Sequence, residues 1–164
     1  MSNSMAADLS SQDKSFMEKA GEAGHYELEA AAMALSKSKD KQVQDFARMM
    51  EKEHKQLSQE LGDLAREREF VLPDAPSLGQ NAKLLLLKGK EGIQFDVSYA
   101  ETLGIDAHHE AIELFQEQAE KGDDDEIRGF AQDSLAILKQ HLQHAELLKQ
   151  HLDQATAKHD TSKE

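Results

Sequence analysis

Four side chains interrupt otherwise apolar helical stripes in this sequence. Glu27 falls among Phe16, Ala20, Ala23, Ala30 and Ala34, and His54 among Val43, Ala47, Met50, Leu57, Leu61 and Leu64. His108 precedes Ala111, Ile112, Phe115 and Ala119, and His141 lies between Leu138 and Ala145. Recurrence at three- and four-residue steps puts a side chain on the inward face of a helix. Burial there is costly for a polar group unless something satisfies it. One carboxylate and three imidazoles pointing into one interior suit a divalent transition metal, which accepts both ligand types and offsets the buried charge. Glu51 precedes His54 in a Glu-x-x-His spacing, which presents two ligands from adjacent turns, and Glu101 lies two turns before His108; both are candidate additions. Leu138 stands where a second Glu-x-x-His ending at His141 would need Glu, so a mononuclear or lopsided dinuclear site fits better than a symmetric di-iron centre. Zn²⁺ suits this ligand set at tetrahedral geometry, and Fe²⁺, Mn²⁺ or Cu²⁺ would also be accepted.

Two other readings compete with a metal site. In a metal-free helical interaction or stress protein, the inward histidines and Glu27 would pair with one another, because a single inward histidine is commonly bonded to a core neighbour. The third reading, a di-metal oxidoreductase, lacks its second Glu-x-x-His. His25, His144, His151 and His159 read as surface or flanking residues, with His109 and His144 closest to an outer supporting role. Met17, Met33, Met49 and Met50 read as core filler.

The elements that would position these groups are helices. Two prolines, nine glycines and 5% aromatic residues favour an all-α chain over a β sandwich. Helical segments are expected at about residues 13–35, 40–68 and 91–121, with a fourth starting after the Asp123 to Asp125 run and Gly122 as a left-handed cap between the last two. Pro73 and Pro76 break the chain at its middle, followed by AKLLLLKGK, a short apolar helix. Helix, short turn, helix, longer link, helix, short turn, helix describes an antiparallel four-helix bundle over residues 13–152, with disordered segments at 1–12 and 153–164. Counting from the turns puts Glu27 and His54 within about a helical turn of each other. The same count leaves His108 and His141 offset by about five residues, or about 7.5 Å.

Composition removes several partners. Nineteen Lys and Arg against 32 Asp and Glu give a net charge of −13, whose long-range field repels nucleic acid and anionic lipid surfaces. With no cysteine, any metal must be held by imidazole, carboxylate or backbone oxygen. The longest apolar run, Leu84 to Leu87, is far short of the roughly 20 residues of a spanning helix. A metal ion is the expected partner, and a homo-oligomer stays open.

Several blocks are similar to an uncharacterised bacterial family of ferritin-like four-helix proteins, the domain of unknown function 4142 type. They are DKSFMEKAGEAGHYELEAAAMAL, VQDFARMMEKEHKQLSQELGDLA, VLPDAP, LLLLKGKEGIQFDVSYAETLGIDAHHEAIELF and SLAILKQHLQHAELL. Most specific are Phe46, Ala47, Met50 and His54, then Phe95, Asp96 and Tyr99 followed by His108, then His141. The resemblance implies a ferritin-like fold, and Glu27, His54, His108 and His141 fall on the pattern's ligand positions. The family's secreted members begin with a signal peptide that this start does not resemble, so a cytoplasmic location is expected, with a mature periplasmic form as the alternative. The stretch from Tyr99 to His108 is one residue longer than the pattern. A π-bulge there would absorb the extra residue and turn Tyr99 and Leu103 toward the core.

Overall fold

The computed structural model describes residues 8–162, and its helices begin at polar caps. Ser10 Oγ accepts from the Asp13 N–H at the start of α1 (Ser11–Lys37), and Asp40 Oδ1 accepts from the Val43 N–H at the start of α2 (Lys41–Glu67). Each bond satisfies a donor that the first turn leaves without an intrahelical partner. Ser77 and Gln80 form a reciprocal capping box on α3 (Leu78–Lys88). Next come α4 (Gly92–Tyr99), a π-helical stretch (Ala100–Asp106) and α5 (Ala107–Lys121), in one unbroken helical run. Asp124 caps α6 (Asp125–Thr161) by accepting from the Glu126 and Ile127 N–H groups.

No strand occurs among the described residues. The chain is all-α, a ferritin-like antiparallel four-helix bundle of α1, α2, the α4–α5 run and α6, with the proline-containing link and short α3 between the second and third long helices. Contacts at the two ends set the topology. At one end the Arg68 guanidinium donates to both oxygens of Asp124, at 2.7 and 3.0 Å. Asp13 closes the same end by accepting from the Gln118 amide and from the Asp123 and Asp124 N–H groups. At the other end Lys37 Nζ donates to Glu91 and to the Lys88 carbonyl. The link from Arg68 to Glu91 therefore runs the length of the bundle, so α2 and the α4–α5 run point the same way, each beside antiparallel α1 and α6.

The interior forms two apolar clusters. One, toward the Lys37 end, contains Phe46, Met50, Phe95, Tyr99, Leu103 and Leu148. The other, toward the Arg68 end, contains Phe16, Leu57, Leu61, Phe115, Phe130 and Leu138. On α2 the boundary between them falls at His54, on α5 at His108 and on α6 at His141.

The π-helical stretch lies where the extra residue predicts it, with the Ala107 N–H donating to the Thr102 carbonyl five residues back. Tyr99 and Leu103 are fully buried, and Tyr99 stacks on Phe95 with ring centroids 6.1 Å apart. Gly122 departs from expectation: its φ of −64° and ψ of 150° are extended, not left-handed. Glycine is needed there for space, since a Cβ would stand 2.7 Å from the Gln118 carbonyl oxygen and 2.9 Å from Arg128 Cγ. The ends also differ from expectation. Helix α1 starts at Ser11, while residues 1–7 of the expected disordered segment lie outside the described residues. Helix α6 runs past residue 152 to Thr161, because extending an established helix through good helix formers needs no new nucleus. No helix among the described residues is long and apolar enough to cross a membrane.

Candidate metal centre

The α2 stripe carries His54 into the interior between Met50 and Leu57, all three buried. His108 occupies the first turn of α5, directly after the π-helical stretch, and is fully buried. His141 sits midway along α6 and is also fully buried. One ring nitrogen from each histidine lies within 4.8 Å of the other two. His54 Nε2 is 3.3 Å from His108 Nε2, which is 3.2 Å from His141 Nδ1. The five-residue offset between His108 and His141 shrinks because Gly122 to Asp124 belong to the turn. Measured from the helix ends it is about three residues, or about 4.5 Å, within reach of two imidazoles.

Partners on the outer nitrogens fix the tautomers. His108 Nδ1 is 2.8 Å from the Leu103 carbonyl oxygen, which can only accept, so Nδ1 carries the proton and Nε2 keeps its lone pair. His141 Nε2 donates to the Glu53 carboxylate, which leaves the Nδ1 lone pair facing the cluster. Burial pushes the His108 ring down to about 4, aided by His141 and opposed by the backbone bonds to Leu103 and Gly104. Burial also lowers His54, with His108 and His141 adding to the effect, and lowers His141 against the opposing pull of Glu53. All three rings are therefore neutral near pH 7. Two of the three facing nitrogens are acceptors, and His54 can give a proton to only one of them.

Glu27 is buried beside this centre but on its far side: its Oε1 is 3.5 Å from His108 Nδ1, not among the three facing nitrogens. Desolvation holds its carboxyl well above the ordinary carboxylate range. Glu51 and Glu101 are exposed; Glu101 pairs with Lys149, and neither is brought to the histidines. Sequence reasoning missed Glu53. Its signal is adjacency to an inward histidine in EKEH, a position about 100° off the stripe that a long side chain can swing back toward α6. The outlying histidines are occupied or exposed: His25 bonds the Pro73 carbonyl and His151 bonds Asp40, while His109, His144 and His159 are exposed.

A cleft of about 340 Å³ opens between α1 and α5 and reaches His54 and Glu27. Its walls include Leu57, Leu61, Phe115 and Leu138, and Glu22, Glu110, Glu113 and Glu117 stand at its mouth with Lys19. Tyr26 Oη and Glu27 Oε2, both on this cleft, are buried without a hydrogen-bond partner.

A family described as a domain of unknown function, DUF4142, matches residues 1–148. The fold is similar to the crystal structure of a DUF305 protein from Streptomyces coelicolor, with a TM-score of 0.74 over 87% of this chain and 92% of that one. Identity between the two is 12%, so the likeness is one of fold. No curated protein matches the chain.

Proposed function

The chain belongs to the DUF4142 family, and for this member we propose that His54, His108 and His141 hold a divalent transition metal for metal or oxidative-stress handling. The observation that carries the proposal is the spacing of the facing nitrogens. Two ligands about 2.0–2.1 Å from a metal at the tetrahedral angle are about 3.3–3.4 Å apart. Two of the three pairs, at 3.3 and 3.2 Å, are close to that separation, and the third lies within 4.8 Å. A cation would also satisfy lone pairs that otherwise face one another without enough protons. Three neutral imidazoles favour Zn²⁺, Fe²⁺ or Cu²⁺ over harder ions, with Mn²⁺ the weakest first-row candidate. Leu103 and Glu53 orient two of the rings from behind, as outer partners of metal-bound histidines do. The cleft that reaches His54 would let water or a small ligand complete the set. The acidic mouth would raise the local concentration of cations.

Metal analysis of protein purified without chelator tests this directly. Wild type should carry close to one equivalent after equilibration with Zn²⁺, His54→Ala and His141→Ala should carry a small fraction of it, and His25→Ala should match wild type. Equal trace metal in all four proteins would end the proposal. The 3.3 Å contact between His54 and His108 also permits one direct hydrogen bond, which favours a metal-free core as the second reading. On that reading chelator leaves the melting temperature unchanged and added Zn²⁺ does not raise it.

A further inference from the structure

Helix α3 is apolar on two sides. Leu84 and Leu87 are buried in the core cluster with Phe95, whereas Leu78, Leu85 and Leu86 are 90%, 72% and 71% exposed. At about 100° per residue, Leu78, Ala82, Leu85 and Leu86 share one arc of about 100°, centred opposite the buried pair. Lys83 and Lys88 lie about 60° outside the two edges of that arc, one on each side. From Ala75 to Lys90 the sequence holds three lysines, Lys83, Lys88 and Lys90, and no acidic residue, although the whole chain has a net charge of −13. All three lysines are exposed, and the acid that follows them, Glu91, is neutralised by Lys37.

We propose that this outer face of α3 docks on an anionic lipid surface. Leu78, Leu85 and Leu86 would enter the headgroup boundary while Lys83 and Lys88 reach phosphates from either flank. An interfacial helix lies in the membrane plane in this way, with lysine stems covering apolar surface and ammonium groups staying wet. Lysines are point charges without the fork that reads one carboxylate pattern, so they suit a diffuse field of phosphates better than a protein's acidic face. The negative charge of the whole chain does not prevent contact, because fields are screened beyond about 8 Å at physiological ionic strength. The helix that touches the surface therefore acts through its own lysines. Two copies meeting face to face through α3 would set like charges against each other, which opposes self-association there. This proposal does not depend on the histidine centre.

Co-sedimentation with vesicles of mixed phosphatidylglycerol and phosphatidylcholine, beside vesicles of phosphatidylcholine alone, is the test. Wild type should pellet with the anionic vesicles only, and high salt should weaken the binding. Lys83→Gln with Lys88→Gln should lower the partition coefficient about fivefold for each lysine removed. Leu85→Ser with Leu86→Ser should lower it as well. Both double variants replace exposed side chains and should keep the wild-type helical spectrum and melting temperature. The proposal is overturned if wild type ignores anionic vesicles or pellets equally with both kinds. It is also overturned if neither double variant weakens binding, or if wild type sediments as a dimer that the leucine variant separates.

Discussion

The Nδ1–H of His108 donates to the Leu103 carbonyl oxygen at 2.8 Å, tying the ring to the π-helical stretch that precedes it. The extra residue thus does two things: it orients one imidazole, and it rotates Tyr99 into the core. Deleting the exposed Glu101 should restore an ordinary helix and turn α4 by about 100° relative to α5. Loss of buried Tyr99 and Phe95 packing should then cost about 3–5 kcal/mol, seen as a fall in melting temperature of about 6–20 °C. Glu101→Ala keeps the length and should stay within about 0.5 kcal/mol of wild type.

Glu53 and Glu51 should behave differently despite their closeness in sequence. Glu53→Gln weakens the acceptor behind His141 and should lower metal affinity about 10- to 100-fold in a competition titration with a chromogenic chelator. Glu51→Gln should leave the affinity unchanged. Equal effects of the two variants would show that the bond to His141 does not tune the centre.

Acid should destabilise the metal-free protein. His54, His108 and His141 have folded values below the ordinary 6.5, so the unfolded chain binds more protons as pH falls, and stability is lost from about pH 6.5 downward toward pH 4. With His108 at about 4, that residue alone should cost about 2 kcal/mol at pH 5 relative to neutral pH. Glu27 acts in the opposite direction. Its folded value lies above the ordinary 4.5, so the stability of its neutral form is present in acid and lost as pH rises past that value. Urea midpoints at pH 5 and pH 7.5 check both: metal-free Glu27→Gln should gain on wild type between the two. Bound metal should reverse the behaviour of Glu27 and steepen the acid loss, because protons compete for its ligands.

Two glycines at close helix contacts should tolerate a methyl group unequally. A Cβ at Gly104 would stand 2.8 Å from Ala145 Cβ, which cannot move without its helix. Gly104→Ala should cost about 1–3 kcal/mol by thermal melting. At Gly24 the near atom is Ser58 Oγ at 2.7 Å, a hydroxyl that can rotate away. Better helix propensity, worth about 1 kcal/mol, should leave Gly24→Ala close to wild type.

Asp13 holds the α5–α6 turn by accepting from the Gln118 amide at 2.7 Å and from the Asp123 and Asp124 N–H groups at 3.1 Å each. Asp13→Ala would leave those donors without their buried acceptor. Its cost should be about 2–4 kcal/mol in urea unfolding, with metal affinity unchanged because the turn is far along α5 from His108.

Periodicity made the inward stripes legible, and with them His54, His108 and His141, because a buried face repeats every three or four residues whatever it packs against. It did not tell which flank of a stripe meets a neighbour. Glu51 lies about 60° to one side of His54 and Glu53 about 100° to the other. Only the position of α6 decides that Glu53, the worse-placed of the two by spacing, makes the contact. Glu27 was legible as an inward carboxylate, whereas its place behind His108 depends on how α1 slides along α5. Counting residues from Gly122 overstated the offset of His141 because turn residues do not advance along a helix axis. Family resemblance, not periodicity, located the π-helical stretch.

The layer formed by His54, His108, His141 and Glu27 separates the Phe46–Tyr99 cluster from the Phe16–Phe115 cluster. Without a cation, this polar waist should weaken the coupling between the two clusters, so that one end should open at lower cost than the whole bundle. A metal bound there ties α2, α5 and α6 together at mid-height. The calorimetric and van't Hoff enthalpies should then converge on loading, and slow amide exchange should spread from the two ends to the whole length.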